Sequence, residues 1–147
     1  MYSIVLFIHS WIRWIALVAG VGTTLAAIRR RDATAERWAL VTMATLDLQM
    51  LLGLLLYLAI SPNMWEILAH FGDAMRDSTA RFWAVEHITL MMGAVVAAHV
   101  GRVLARTART PDAKRSRLLV AFGLATVLMI LGMPWPGRPG GRPLFRI

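Results

Sequence analysis

"SIVLFIHSWIRWIALVAGVGTTLAAI", residues 3–28, is the stretch on which the fold turns. Apart from His9 and Arg13 it carries no ionisable side chain. It exceeds the roughly 20 apolar residues that a helix needs to cross a bilayer. It ends at Ile28 before Arg29, Arg30 and Arg31, which reads as a stop at a membrane surface. No basic segment precedes the run and no small-residue cleavage site closes it. It is therefore expected to be a retained span and not a signal peptide.

Three more runs of this kind follow. They are "WALVTMATLDLQMLLGLLLYLAI" at 38–60, "FWAVEHITLMMGAVVAAHVG" at 82–101, and "LLVAFGLATVLMILGM" at 118–133, the last stopped by Pro134-Trp135-Pro136. The whole chain of 147 residues is 58% hydrophobic, with a mean hydropathy of +0.60. That is more apolar surface than a water-soluble fold of this size can hide. Backbone groups in lipid must be satisfied within the segment, and the period-2 alternation of a barrel is absent. The expectation is one all-α domain: an integral membrane four-helix up-down bundle with spans at about 3–28, 38–60, 82–101 and 118–133, and a tail over 134–147.

The loops carry the charge. Sixteen Lys and Arg against eight Asp and Glu give a net charge of +8. Loop one (29–37) holds Arg29, Arg30, Arg31 and Arg37; loop three (102–117) holds Arg102, Arg106, Arg109, Lys114, Arg115 and Arg117. Loop two (61–81) nearly balances its charges. Positive charge flanking spans marks the cytoplasmic side, so both termini are expected on the outer side of the membrane. The tail's Arg138, Arg142 and Arg146 oppose that bias weakly. Basic residues confined to such loops point to topology and anionic lipid, not to nucleic acid. In loop two, Trp65, Leu68 and Phe71 or Met75 recur at helical spacing, which predicts a short interfacial helix. Loop two and the tail are expected to cover the outer mouth of the bundle.

An ionisable residue at membrane depth is a functional-site hypothesis whose partner must be found. His9 and His87 each fall roughly 8 Å below the outer ends of their helices, on spans running in one direction. In an up-down bundle those spans are diagonal neighbours. Two level imidazoles on facing helices suit the axial positions of a b-type haem, held without covalent attachment. Inward from His9 come Arg13, Ala16 and Gly20; inward from His87 come Met91, Ala94 and Ala98. These small residues would leave room for a flat macrocycle. Arg13, Arg81 and the tail arginines lie where propionates need cations. A plainer reading stands beside it. Small residues, including the stripe Gly93, Ala97 and Gly101, serve close helix packing, and Arg13 pairs with Glu86 in a polar cluster. A second set, Asp47, Gln49 and His99, lies in the inner half. There a proton path and a structural Asp47–His99 pair are both open, with the pair favoured. His70 reads as a solvated interfacial residue.

"HSWIRW", "LQMLLGLLLYLAISP", "MRDSTARFWAVEHITLMM" and "MPWP" resemble a family of small bacterial four-helix membrane proteins, often labelled cytochrome b-like. The resemblance runs from His9 to Pro136 and is most specific at R-F-x-x-x-E-H. It implies a four-helix span with haem binding, and it carries over His9, Arg13, Gln49, Arg81, Glu86 and His87 as site positions. The chain departs from the family at Asp47, where relatives often have His.

Three functions follow as expectations. The first is a membrane electron-transfer cytochrome with haem b, exchanging electrons with quinone or an outer-side redox partner. The second is a haem-free accessory or scaffold subunit. The third is a metal- or proton-handling protein using His9, Glu86 and His87. Whether the chain forms a homo-oligomer or joins a larger complex stays open. The chain has no cysteine, which excludes thiolate metal sites, Cys nucleophiles and c-type haem attachment. Hydrolase, kinase and dehydrogenase motifs are absent.

Overall fold

The computed structural model describes residues 1–145; Arg146, counted above among the tail arginines, lies outside the described residues. The fold is all-helical, with no strand among the described residues. Four helices are long and apolar enough to cross a membrane. They are α1 (Tyr2–Ile28), α2 (Asp32–Leu55, prolonged by a π turn Leu56–Ile60), α6 (His87–Arg106, preceded by a π turn Phe82–Glu86) and α7 (Pro111–Gly132). Between α2 and α6 lie α3 (Pro62–Ala69), α4 (Phe71–Ala74) and α5 (Ser78–Arg81).

The helices outrun the apolar stretches of the sequence. α2 begins at Asp32 and not near Trp38, and α7 begins at Pro111 and not near Leu118. The cause is local. The Thr110 hydroxyl accepts from the Ala113 N–H at 3.1 Å, with Pro111 in the first turn, which starts α7 in polar sequence. The turn into α2 spans only Arg29–Arg31, with Arg30 in the left-handed region at φ 55°, the usual way to end one helix sharply. At this end Arg115 reaches Asp32 at 2.9 Å and Asp112 at 2.7 Å, and Lys114 pairs with Glu36. The start of α7 is thereby clasped to the start of α2.

α1 packs on α2 and α7, and α6 packs on the same two, so α1 and α6 stand opposite each other. The core between them is mostly alanine, with Phe122 and Leu118 as its largest fully buried side chains. Small residues let helix backbones approach closely, which is how helices associate where solvent supplies no hydrophobic drive. The stripe Gly93 and Gly101 serves this purpose: Gly93 faces Leu128, and a methyl at Gly101 would collide with the Ala121 side chain. Between α1 and α2 the hydroxyls of Thr23 and Thr42 meet at 3.1 Å, both fully buried.

The segment between α2 and α6 forms a cap. Ser61 opens α3, its hydroxyl accepting from the Met64 N–H at 3.4 Å, and Pro62 follows in the first turn. The interfacial helix expected here is broken at His70 into α3 and α4. Trp65 and Phe71 remain exposed.

α7 stops at Gly132, and residues 133–145 continue as turns and coil, since Pro134, Pro136 and Pro139 forbid a regular helix. This tail folds back against α1 and the π turn that precedes α6. The Leu144 carbonyl accepts from Arg13 at 2.5 Å and from the Trp14 indole at 3.2 Å, and the Pro143 carbonyl accepts from Arg13 at 3.4 Å. Phe145 stacks on Trp14 with ring centres 5.5 Å apart. Gly140, at φ 71°, rests on the Phe82 and Trp83 rings, where any side chain would meet both the ring and the wrong backbone region.

Candidate functional site

Four helices, the cap and the tail enclose a cavity of about 500 Å³. Its lining is mainly apolar and includes Leu46, Met50, Gly53, Met91, Val95 and Met129. Polar groups on its wall include His9, Arg13, Gln49, Tyr57, His87 and Arg142, with the carboxylates Glu66 and Asp77 among the cap residues. An apolar pocket with a small number of convergent polar groups is the usual form of a site for an organic ligand or cofactor.

His9 from α1 and His87 from α6 meet across this space, their ring centres 6.4 Å apart and their planes at 71°. His87 is fixed by its neighbours. Its Nδ1 lies 2.7 Å from the Gly132 carbonyl, and a carbonyl can only accept, so Nδ1 carries the proton. In the neutral ring Nε2 then keeps its lone pair. The Trp83 and Phe82 rings hold the imidazole from the side at 5.4 and 5.8 Å. His9 is placed differently. Its backbone carbonyl accepts from the Gln49 amide at 2.8 Å, and its ring rests above Gly53. His9 Nδ1 and Gln49 Oε1 are buried, and neither has a hydrogen-bond partner among the described residues. Buried polar atoms are normally satisfied by protein or by something bound.

Two π turns frame the part of the cavity nearest the cap. Leu56 and Tyr57 belong to one and Trp83 to the other, and all three line the space. The Tyr57 hydroxyl donates to the Ala84 carbonyl at 2.6 Å, which ties the two turns together. The turn at Phe82–Glu86 adds a residue to the helical cycle immediately before His87. Arg81 and Glu86, five residues apart, become neighbours across it, with Nε and Oε1 separated by 2.9 Å. Both side chains are 45% exposed, and neither lines the cavity.

The expected residues therefore divide. His9, His87, Arg13 and Gln49 converge on the cavity. Glu86 turns outward to Arg81 instead of reaching Arg13, and no group of three His, Cys, Asp or Glu side chains gathers as a metal site among the described residues. Arg13 lines the cavity while its guanidinium holds the tail carbonyls. Asp47 and His99 pair directly at 2.8 Å, outside the cavity wall. His70 is exposed, its ring near the Glu66 carbonyl at 3.2 Å. Loop-two residues Met64 and Ile67 and tail residues Pro134, Arg142 and Pro143 also line the cavity, as the cap and the tail lie over one end of the bundle. Sequence reasoning missed Tyr57, Trp83 and Gly53. Only the aromatic pair Phe82-Trp83 beside Glu86-His87 hinted at a built ring environment.

A metal–imidazole bond is about 2 Å, so two rings bound on opposite sides of one metal have centres about 6 Å apart. The His9–His87 separation fits that arrangement. Of the small residues expected to flank a macrocycle, Ala16 lines the cavity, as does Gly53, whereas Gly20 packs on Thr126 and Met129 and Ala94 and Ala98 lie in the alanine core. No family model, curated protein or solved structure matches the chain.

Proposed function

We propose that this chain is a multi-pass protein of a bacterial inner membrane, an up-and-down four-helix bundle with both termini outside, that holds haem b between His9 and His87 and passes electrons. The observation that carries the reading is the pair of imidazoles 6.4 Å apart inside a mostly apolar cavity of about 500 Å³. His87, with Nδ1 bonded to the Gly132 carbonyl, presents Nε2 as a ligand of fixed direction. His9 would supply the opposite nitrogen. Arg13 and Arg142, both on the cavity wall, would face the carboxylates of the group, and Arg142 already lies 5.5 Å above the Trp83 ring. Haem in such a site supplies one-electron exchange at iron. The protein's part is to fix both imidazoles, exclude water with an apolar wall, and hold propionates at the outer side. Quinone or an outer-side protein would be the redox partner.

Orientation rests on the ten basic residues of loops one and three. Expression with ample haem, followed by a visible spectrum of the detergent-solubilised protein, tests the function. The expected result is a Soret band with sharp reduced α and β bands. His9→Ala and His87→Ala should abolish it, whereas His70→Ala should leave it intact. A colourless wild type would refute the haem reading and leave the haem-free scaffold, in which Arg13 serves to hold the tail.

A further inference from the structure

Asp47 lies far from either end of its helix, and its partner His99 stands seven residues, about 10 Å, inside the end of α6 at Arg106. Asp47 is the sixteenth of the 29 residues in the continuous helix Asp32–Ile60. At 1.5 Å per residue it sits about 20 Å from either end, at the depth of lipid tails in the membrane reading on which this inference rests. Yet both side chains are nearly half exposed, Asp47 at 49% and His99 at 46%. They stand on the outer face of the bundle where α2 meets α6. The surrounding exposed residues are otherwise apolar, among them Leu48, Leu51, Val96 and Val103.

The pair is satisfied on one side only. His99 Nε2 meets Asp47 Oδ1, while Asp47 Oδ2 and His99 Nδ1 make no hydrogen bond among the described residues. A pair with no net charge takes one of two forms. With Nδ1 protonated, whether the shared proton sits on Nε2 or on Oδ1, Nδ1–H is a spare donor and Oδ2 a spare acceptor; with Nδ1 bare, Oδ2–H is the donor and Nδ1 the acceptor. Either form presents one donor and one acceptor side by side. Acyl chains can satisfy neither. A surface with one donor and one acceptor is complementary to itself when rotated by a two-fold axis, and an axis along the membrane normal keeps both copies at one depth. Ala44, one turn inward of Asp47, is exposed and small enough for close helix approach.

We infer that this face is where a second copy of the chain docks: Asp47 and His99 of each subunit close a four-membered ring of hydrogen bonds at the centre of a two-fold dimer. The α2–α6 seam is the interface, and the remaining apolar surface of those helices packs around the ring.

The absence of native cysteine allows a direct test. Single cysteines would be placed at Ala44 or Leu51, a turn to either side of Asp47, and at exposed Val120 on α7 as a control. Oxidation in native membranes should trap disulfide dimers of Ala44→Cys and Leu51→Cys at least tenfold more than of Val120→Cys. Adding Asp47→Ala with His99→Ala should bring cross-linking down to the control level. The exchange Asp47→His with His99→Asp keeps the surface self-complementary and should restore it. Equal cross-linking at all three positions, or dimers that persist without Asp47 and His99, would overturn the proposal. Loss of the wild-type chain from the carbonate-washed membrane fraction would instead overturn the membrane reading beneath it.

Discussion

Gly53 offers a perturbation that separates the site from the fold. A methyl built there lies 3.2 Å from His9 Cε1 and 3.8 Å from His9 Nδ1, so the ring must give by a few tenths of an ångström. Ligand distances at a metal tolerate shifts of only about 0.2 Å. Gly53→Ala should therefore weaken haem retention by roughly tenfold, the lower end of what disturbing a ligand's support costs. Gly53→Val carries two further methyls toward the ring and should abolish retention. Stability should move the other way or stay level, because alanine in a helix interior gains about 1 kcal/mol over glycine. Soret absorbance relative to protein absorbance reads the first effect, and thermal unfolding by far-UV circular dichroism reads the second. A Gly53→Val protein that keeps wild-type haem content would refute His9 as a ligand. A fall in both quantities together would mean that the substitution acts through the fold.

Other expectations are independent of that series. Tyr57→Phe leaves the Ala84 carbonyl without its partner; the loss should be about 0.6 kcal/mol and at most about 1.7 kcal/mol in detergent-micelle unfolding, the range for such bonds between membrane helices. Gly101→Leu forces a side chain into Ala121 and should cost about 1–3 kcal/mol or more. Gly72→Leu, where nothing lies within 4 Å, should cost no stability and, the position being helical, should gain at most about 1 kcal/mol. Arg13→Leu removes both bonds to the tail carbonyls, and amide exchange over 140–145 should quicken at least tenfold while α7 stays protected; unchanged exchange would mean that the aromatic contacts alone hold the tail. A reporter fused after the tail should be active on the outer side, and activity confined to the cytoplasm would reverse the orientation.

Hydropathy alone placed all four long helices, because a run such as 3–28 has few other physical fates. Their ends were harder to see. Capping by Thr110 and the clasp of Arg115 on Asp32 extend α7 and α2 into polar sequence that a hydropathy reading leaves out. The convergence of His9 and His87 was legible as well, since depth along two helices of known rise is simple arithmetic. Glu86 was not. The π turn before His87 shifts the helical phase by one residue, so a face drawn with ordinary periodicity points Glu86 the wrong way. The bond from Arg13 to Leu144 joins residues 131 apart through a backbone carbonyl, and a carbonyl leaves no trace in residue identity. Asp47 and His99 met as depth suggested, but their exposure on the outer face could only come from the assembled bundle.

The stop of α7 at Gly132 has a consequence for the order in which the protein is made. Residues 133–145 stand where further turns of that helix would otherwise flank α1 and α6, and they emerge from the ribosome after all four long helices. The cavity therefore keeps an open flank until the tail has been made. It acquires its final wall only when Arg13 and Trp14 capture the Leu144 carbonyl. Assembly is thus divided into a stage in which the four long helices form and a later stage in which the tail seals the cavity.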